Sequence, residues 1–310
     1  MTARVLLVGA GEVGAKHLHA LGQIEGAQVA GIADPAPSTI VAAGWRRFDD
    51  WQTALAALRP HLVTVATPPG TALKIARTAA ATGAYVLVEK PAALDAAQLA
   101  PQPGDERVFV GFQPHFAPGL AELLHKPPVV EHAEVTLVCR RDRPYYRGWR
   151  TQYATAGGVL HQQAIHGLAL AVRLMNTSAI SACTAARTHT RDWAETEDRI
   201  DADVRFETGA TLKVRARVDS DAPPHHHVIL HLADGQRLVV RGRNLEAGLG
   251  PEAAAPDHQI LRQHMYRALL AATEQPAMPH PCLYPLSALR RLLEVITHVY
   301  DSARPVPAAA

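Results

Sequence analysis

This chain of 310 residues has few of the features on which several other protein classes depend. Its three cysteines, Cys139, Cys183 and Cys282, lie far apart and form no C-x-x-C pair. A disulfide scaffold and a cysteine-rich zinc site are therefore both disfavoured. No uninterrupted apolar run approaches the ~18 residues of a transmembrane helix. We expect a protein of the reducing cytoplasm with no membrane partner.

The chain also lacks an excess of either charge. Lys and Arg total 31, Asp and Glu total 29, and the net charge is +2 with neutral histidine. Because nucleic-acid-binding proteins usually carry a broad basic field, this balance argues against a nucleic-acid partner. Lysine itself is scarce, since it supplies only five of the 31 basic residues.

The length predicts about two domains at ~150 residues each. In the first hundred residues, apolar runs alternate with Ala-rich helical stretches. The predicted strands are runs typical of a parallel sheet buried on both faces: Val5–Val8, Val29–Ala33, Leu62–Ala66, Tyr85–Val88 and Val108–Gly111. The predicted helices are Gly14–Leu21, Trp51–Leu58, Thr71–Thr82 and Leu94–Leu99. This order predicts a Rossmann-type α/β domain over residues 1–112.

Residues 113–310 show a different pattern, in which consecutive strands are joined by short turns such as Ala233-Asp234-Gly235-Gln236. The predicted strands are Val129–Arg140, Asp198–Glu207, Ala210–Asp219, His226–Leu232 and Gln236–Arg241. The predicted helices are Gly158–Leu174, His258–Thr273 and Pro285–Ala303. We expect a second, α+β domain built on an antiparallel sheet.

The first strand is followed by Gly9-Ala10-Gly11-Glu12-Val13-Gly14, a G-x-G-x-x-G motif that opens a predicted helix. This context is the dinucleotide-binding fingerprint. The first glycine permits the tight turn, the second lets the backbone approach a pyrophosphate, and the third lets the helix pack on the strand. Gly9, Gly11, Glu12, Val13 and Gly14 are therefore predicted cofactor-binding residues.

Asp34 ends the second strand, 20 residues after Gly14. Its carboxylate can accept hydrogen bonds from the adenosine ribose hydroxyls and would repel a 2′-phosphate. No arginine occurs in the following segment, Pro35 to Ser38. The sequence therefore predicts NAD in preference to NADP.

Three further motifs carry a family resemblance. Glu89-Lys90-Pro91 ends the fourth strand, Thr67-Pro68-Pro69 follows the third, and Gly157-Gly158 precedes a helix that contains His166. With the fingerprint, they resemble the Gfo/Idh/MocA family, named for glucose–fructose oxidoreductase, inositol dehydrogenase and a rhizopine-catabolism protein. The resemblance extends over most of the chain.

The resemblance implies an open, mostly antiparallel C-terminal sheet, with a small-molecule substrate between that sheet and the nicotinamide. It also implies hydride transfer to or from a sugar, keto-sugar or cyclitol. An open sheet leaves one face uncovered, and exposed apolar patches usually mark an interface. We therefore expect a homo-oligomer that associates through this face.

The family's catalytic lysine falls at Lys90, which follows a strand's carboxyl end, where open α/β sheets bind ligands. An amine of ordinary pKa ~10.4 serves as acid and base when burial or nearby positive charge lowers its pKa toward ~7–8. The resemblance places Glu89, Thr67 and Pro68 at the cofactor as well.

On the helix after the glycine pair, the family often shows Asp-x-x-x-His. His166 matches the histidine and is predicted to share the proton transfer with Lys90, but Gln162 occupies the aspartate position. Because glutamine does not exchange protons at neutral pH, Gln162 is predicted to bind substrate. Gln163 matches a frequent glutamine and is predicted to contact the cofactor. Gln162 and His166 have the i, i+4 spacing that places two side chains on one face of an α-helix. His161 lies off that face and is predicted to be structural.

Other substrate contacts are expected from the loop before the glycine pair. Tyr145 and Arg150 suit hydroxyl, carboxylate or phosphate groups. His115 replaces a frequent family arginine and is predicted to contact substrate. Ala72 and Ala169 stand where family members often carry a histidine and an acid, which weakens the transfer of any one member's substrate.

A histidine-rich segment could suggest a metal site. His225, His227 and His231 would share one face of a strand. Since no carboxylate or cysteine spacing completes a set of ligands, we predict no metal site.

Three other functions remain open. The fold also serves imine or tetrapyrrole reductases, although Lys90 and His166 suit a carbinol better. A non-catalytic NAD-binding regulator is compatible with Gln162 and Ala72. A glycosidase that uses bound NAD transiently is a minor alternative.

Overall fold

The computed structural model describes residues 2–36, 44–175, 177–246 and 256–307. The chain forms two compact units. The N-terminal unit comprises Met1–Ala93, Leu99–Phe116 and Pro256–Ser287, and the C-terminal unit comprises Leu94–Gln98, Ala117–Ala255 and Ala288–Ala310. The division is therefore not a single cut after residue 112, because a late segment returns to the N-terminal unit.

The N-terminal unit contains a parallel sheet with the strand order β6-β5-β4-β1-β2-β3. Its core strands are apolar and almost fully buried, as a sheet covered on both faces requires. The strands are β1 (Ala3–Val8), β2 (Ala27–Ala33), β3 (Arg47–Phe48), β4 (Leu62–Val65), β5 (Tyr85–Val88) and β6 (Val108–Val110).

Three helices follow strands of this sheet, namely α1 (Glu12–Leu21), α2 (Trp51–Leu58) and α3 (Pro69–Ala81). The Asp50 carboxylate caps α2 by accepting the Thr53 N–H at 2.7 Å, and Pro69 begins α3 where a missing N–H costs nothing. The predicted Rossmann domain is confirmed. The helix predicted over Leu94–Leu99 is only a 3₁₀ turn over Ala96–Leu99, and the two-residue strand β3 was not predicted.

The C-terminal unit contains strands β7 (Val130–Val138), β8 (Ile180–Thr188), β9 (Arg199–Phe206), β10 (Thr211–Arg217), β11 (His225–Leu232), β12 (Arg237–Arg241) and β13 (Asn244–Leu245). Their order is β13-β12-β11-β7-β10-β9-β8. Helices α4 (Leu120–His125), α5 (Tyr153–Ala156) and α6 (Ile165–Leu174) belong to the same unit. The open, mostly antiparallel sheet is confirmed, but β7 and β10 pair in parallel and β8 was not predicted.

The end of the chain contributes elements to both units. Helix α7 (His258–Glu274) and strand β14 (Tyr284–Pro285) belong to the N-terminal unit, where β14 pairs antiparallel with β6. Helix α8 (Leu286–Ser302) leads to β15 (Ala303–Pro305), which pairs in parallel with β8. No helix in the part of the chain that the structure describes has the length and apolar character that crossing a bilayer requires.

Candidate functional site

The glycine loop between β1 and α1 has the steric features that its sequence predicts. Gly9 has φ +92°, and a Cβ there would lie 2.6 Å from the Ala66 carbonyl oxygen. A Cβ on Gly14 would lie 2.2 Å from the Gly9 carbonyl oxygen. A Cβ on Gly11, by contrast, would meet no atom within 4 Å. The first and third glycines are therefore required by internal packing, whereas the second borders open space.

This open space lies at the start of α1, which begins at Glu12 directly after Gly11. The first N–H groups of a helix have no partner within the helix, and the helix dipole makes this end attractive to anions. Backbone groups of Gly11, Glu12 and Val13 are therefore placed to hold a pyrophosphate. The loop fits a dinucleotide.

Asp34 lies at the end of β2 beside the same loop. Its Oδ2 accepts the Ala10 N–H at 2.6 Å and its Oδ1 accepts the Ala36 N–H at 2.8 Å. Since a carboxylate has about four acceptor positions, each oxygen keeps capacity for a ribose hydroxyl. Two of the neighbouring residues used in the cofactor argument, Pro37 and Ser38, lie outside the described residues.

Thr67 and Pro68 follow β4 on the other side of the loop. The Thr67 Cγ2 lies 3.2 Å from the position of a Cβ on Gly9, and its hydroxyl accepts the Thr71 hydroxyl at 3.2 Å. Pro68 is the residue that precedes α3. The structure therefore brings Gly9, Asp34 and Thr67 together at one edge of the sheet, as the sequence predicts.

Glu89 and Lys90 follow β5 at this same edge. The Lys90 N–H donates to Glu89 Oε2 at 3.2 Å, and the Lys90–Pro91 peptide is cis. A Cβ on Gly111 would lie 3.2 Å from Glu89 Oε1. Gly111 therefore leaves room for the carboxylate to lie within the unit.

Behind Glu89 runs a buried chain of hydrogen bonds that the sequence analysis missed. Glu89 Oε1 is bonded to His17 Nε2 at 2.9 Å, and His17 Nδ1 to the Tyr266 hydroxyl at 2.7 Å. The Tyr266 hydroxyl is also bonded to Thr64 Oγ1 at 2.9 Å. The side chains of His17, Thr64 and Tyr266 are completely buried. We call Glu89, His17, Tyr266 and Thr64 the Glu89 relay.

Part of the relay could have been found in the sequence. His17 lies three residues after Gly14, so it falls on the buried face of α1, where a polar side chain needs a partner. Its partner Tyr266 is 249 residues away on α7. No local pattern connects the two residues.

The groups around Glu89 determine its charge. Burial raises the pKa of its carboxyl, but the His17 hydrogen bond and the positive charges of His17, Lys90 and Arg262 outweigh burial. The pKa of Glu89 is therefore lowered, and the group is an anion at neutral pH. Desolvation strongly raises the pKa of Tyr266, which stays a neutral phenol.

In the C-terminal unit, two buried side chains leave room only for a glycine at Gly158, the second residue of the glycine pair before α6. A Cβ on Gly158 would lie 2.3 Å from the Tyr300 hydroxyl and 2.4 Å from Glu197 Oε2. Glu197 Oε1 accepts the Val159 N–H at 2.7 Å and the Tyr300 hydroxyl at 2.6 Å. Glu197 and Tyr300 therefore fix the start of the segment that carries His166, a role that no sequence motif predicts for either residue.

This segment begins as a π-helical turn over Leu160–Ala164 and not as the expected α-helix. Such turns are rare and often occur at functional sites. The Gln162 amide is nearly buried, and its Nε2 donates to the Gly157 carbonyl at 3.0 Å. His166 follows in α6 and is partly exposed. Gln162 therefore lies in the π-helical turn and His166 in α6, so their four-residue spacing does not by itself place the two side chains on one helix face.

His161 is the structural residue that the sequence predicts. Its imidazole is 2% exposed, stacks on Tyr300 with ring centroids 5.5 Å apart, and is bonded through Nε2 to the Leu94 carbonyl at 3.3 Å. Burial lowers its pKa to about 4. The ring is therefore neutral in the folded protein.

Tyr145, Gln163 and Arg150 lie together. Arg141, which was not predicted as a site residue, lies beside them. The Arg141 Nε and Nη2 donate to Gln163 Oε1 at 3.1 and 3.0 Å, and Gln163 Nε2 donates to the Tyr145 hydroxyl. The Arg141 and Arg150 guanidinium carbons lie 5.2 and 5.1 Å from the Tyr145 ring centroid. Among the residues that the structure describes, no carboxylate pairs with either arginine. We call these four residues the arginine cluster.

His115 does not fit the predicted substrate role. It is completely buried in the N-terminal unit, where its ring stacks on Phe112 at 5.2 Å and lies 5.8 Å from Tyr284. A side chain with no exposed surface does not contact substrate. His115 is therefore a core residue, and its place in the substrate set is corrected.

Comparisons with known proteins agree with the fold of both units. The family described as "Oxidoreductase family, NAD-binding Rossmann fold" matches residues 3–101, and the "GFO/IDH/MocA C-terminal domain" matches residues 130–244. A comparison with curated proteins gave no match.

Several solved structures share the fold. The WlbA dehydrogenase from Bordetella pertussis, in complex with NADH and UDP-GlcNAcA, is 22% identical, with a TM-score of 0.78 and 100% of both chains covered. A putative myo-inositol dehydrogenase from Sinorhizobium meliloti 1021 is 19% identical, with a TM-score of 0.76 and 97% of both chains covered. GenD2 from gentamicin A biosynthesis, in complex with NAD, is 21% identical, with a TM-score of 0.78, 97% of this chain and 93% of that chain covered. Because the two family matches together span more than half of its length, the chain belongs to the Gfo/Idh/MocA family of NAD-binding oxidoreductases and is a nicotinamide-dependent dehydrogenase.

Proposed function

We propose that the protein interconverts a carbinol and a ketone on a sugar or cyclitol, with Lys90 as the acid and base. The observation that carries this proposal is the Glu89 relay, because Glu89 accepts the Lys90 backbone N–H and so fixes Lys90 at the ligand-binding edge of the parallel sheet. A buried charge supported by three further side chains is costly to maintain without a function. Positioning Lys90 gives the Glu89 carboxylate such a function.

The proton chemistry follows from the properties of these groups. Bound NAD supplies the nicotinamide ring that accepts or donates the hydride. During oxidation, Lys90 takes the hydroxyl proton, and during reduction it returns a proton to the developing alkoxide. His166 is proposed as an assistant in proton transfer. Gln162 has no proton to exchange and is proposed as a binding group.

The arginine cluster favours a substrate that carries negative charge. Arg141 and Arg150 flank Tyr145 without a carboxylate partner among the described residues. Guanidinium groups bind carboxylates and phosphates through paired hydrogen bonds. The Bordetella pertussis WlbA structure contains UDP-GlcNAcA, a ligand of this charge. We propose a sugar that bears a carboxylate or phosphate, in preference to a neutral polyol.

Steady-state kinetics with one anionic and one neutral probe test the proposal. UDP-GlcNAcA and myo-inositol are suitable probes, and the anionic one is expected to give the higher kcat/KM. Lys90→Ala is expected to lower kcat by about 10²–10⁴, the usual contribution of general acid–base catalysis, with NAD binding little changed. Lys90→Arg keeps the charge but cannot release the proton, so it is expected to lower kcat as well.

Lys74→Ala is the matched control, because Lys74 is an exposed residue of α3 and is expected to be dispensable. A folded Lys90→Ala variant with near wild-type kcat would contradict the role of Lys90. Tight NAD binding by the wild type, without turnover of keto-sugars, polyols or anionic sugars, would favour the regulator. Turnover of a cyclic imine alone would favour the imine reductase.

A further inference from the structure

Three potential metal ligands meet on the outer face of the C-terminal sheet. His132 and Glu134 lie two residues apart on β7, and His231 pairs directly with His132 across β11 and β7. One ligand atom from each of the three side chains lies within 4.8 Å of the other two. His231 is 97 residues from Glu134, so the spacing of the β11 histidines alone could not reveal the carboxylate.

Packing against α6 on the other face of the sheet shows which way these three side chains point. A Cβ on Gly167 of α6 would meet His226 Nε2, Val135 Cγ1 and Val228 Cγ2, so these side chains point toward the helix. Side chains alternate along a strand, which places His132, Glu134 and His231 on the side away from α6. All three are partly exposed, with side-chain exposures of 35%, 35% and 42%. An ion from solution can therefore reach them.

A neighbouring hydroxyl orients one of the histidines. His132 Nδ1 is bonded to Thr211 Oγ1 at 2.8 Å, across the pairing of β10 with β7. Ligating histidines usually have such a partner on the second ring nitrogen, which fixes the tautomer and directs the other nitrogen to the metal. The His132 Nε2 is the nitrogen that faces Glu134.

Two of the three distances between ligand atoms are close to those of a tetrahedral ion, and the third, between the two imidazoles, is no more than 4.8 Å. His231 Nε2 and His132 Nε2 lie 3.3 and 3.8 Å from Glu134 Oε1. With zinc–ligand bonds of about 2.0–2.1 Å, the corners of a tetrahedron are roughly 3.3–3.5 Å apart. The pairing of strands also places Lys213 beside Glu134, but Asp203 flanks that lysine on its other side.

We propose that His132, Glu134 and His231 form a binding site for Zn²⁺ or a related divalent transition-metal ion, with one coordination position left for solvent. Two imidazoles and one carboxylate are a common zinc ligand set. The bound ion would join β7 to β11. This site belongs to the C-terminal sheet and is independent of the proposed dehydrogenase chemistry.

Calorimetric titration of the full chain with Zn²⁺, after treatment with a chelator, tests the site. We expect one ion per chain. His231→Asn and Glu134→Gln are expected to weaken binding at least tenfold, and Thr211→Val by about 10–100-fold, the usual cost of losing a group that orients a ligand. Because all three ligands are partly exposed, these variants are expected to fold, which circular dichroism checks.

His227→Asn is the matched control, since His227 lies on the same face of β11 but outside the cluster. It is expected to leave Zn²⁺ affinity unchanged. Titration with Co²⁺ should give the intense visible absorption of tetrahedral coordination in the wild type and not in His231→Asn. Absence of stoichiometric binding, equal loss in His227→Asn, or a weak octahedral spectrum would each overturn the proposal.

Discussion

Asp34 is the residue at which choice of cofactor can be measured. Its two oxygens already accept the Ala10 and Ala36 N–H groups, so the carboxylate is held beside the glycine loop. A fixed negative charge attracts ribose hydroxyls and repels a 2′-phosphate. We propose a preference for NAD over NADP. Asp34→Asn removes the charge while keeping the shape, so it is expected to narrow this preference by about tenfold, roughly 1.4 kcal/mol.

Fluorescence titration of both reduced cofactors against the wild type and Asp34→Asn measures this ratio. Glu25→Gln is a suitable control, because Glu25 is exposed in the turn between α1 and β2, at the opposite end of β2 from Asp34. Wild-type protein that binds NADPH as tightly as NADH would contradict the assignment.

We expect His161 to make the stability of the C-terminal unit depend on pH. Its pKa is lowered by burial to about 4, whereas an unfolded histidine titrates near 6.5. The unfolded chain therefore binds the proton first as pH falls, so the contribution of His161 is complete above pH 6.5 and is lost toward pH 4. A shift of this size corresponds to about 3 kcal/mol. His161→Gln should flatten this part of the stability profile.

Urea unfolding between pH 4 and 7 supplies the measurement. His298→Gln serves as the control, since His298 is exposed on α8. The same pH slope in His161→Gln and in the wild type would show that other groups cause the acid sensitivity.

At the level of elements, the Glu89 relay connects β4, β5, α1 and α7 within the N-terminal unit. His17→Gln removes the imidazole whose hydrogen bond and electrostatic interaction lower the pKa of Glu89, while burial continues to raise it. Glu89 then takes up a proton at higher pH. The acidic limb of the kcat/KM profile should therefore move to higher pH, because an uncharged Glu89 no longer positions Lys90.

Tyr266→Phe separates this electrostatic effect from packing. It leaves His17 and Glu89 paired but deprives His17 and Thr64 of a buried hydrogen bond, at an expected cost of about 1–3 kcal/mol in unfolding free energy. Its acidic limb is expected to stay near that of the wild type. If His17→Gln keeps the wild-type pH profile, the relay is structural and does not position Lys90.

The elements also show what the sequence could and could not predict. β5 and α2 were predicted at their observed bounds, because a buried apolar run and an Ala-rich helical stretch are local signals. The glycine loop was predicted for the same reason. The relay, the Glu197–Tyr300 contact and the metal-ligand cluster join residues roughly 70–250 positions apart, so only the fold brings them together. His115 was wrongly predicted to contact substrate, because the sequence around it does not show that its side chain is buried.

For the whole molecule, the outer face of the C-terminal sheet is the remaining candidate for association between copies. We expected exposed apolar side chains there, but the described part of the face carries charged and polar side chains that lie beside one another across neighbouring strands. In one row, Asp201 and Arg215 pair at 3.8 Å, with side-chain exposures of 65% and 59%. The exposed large apolar residues of the described chain, such as Val129 and Met278, lie outside the paired strands. Any association through this face would therefore be electrostatic.

We propose that the chain forms a homo-oligomer through this polar face and predict that the association is sensitive to salt. Screening shortens the Debye length from about 10 Å at 0.1 M salt to about 3 Å at 1 M, which weakens exposed ion pairs between copies. Light scattering at micromolar concentration, with a chelator present to remove metal-linked association, should give an oligomer at 0.1 M NaCl and smaller species at 1 M.

Asp201→Arg should favour the monomer at 0.1 M, because it repeats the charge of Arg215. Asp142→Arg, an exposed change outside the sheet, should not. A monomer at 0.1 M would refute the oligomer, and an assembly indifferent to both salt and Asp201→Arg would place the interface elsewhere.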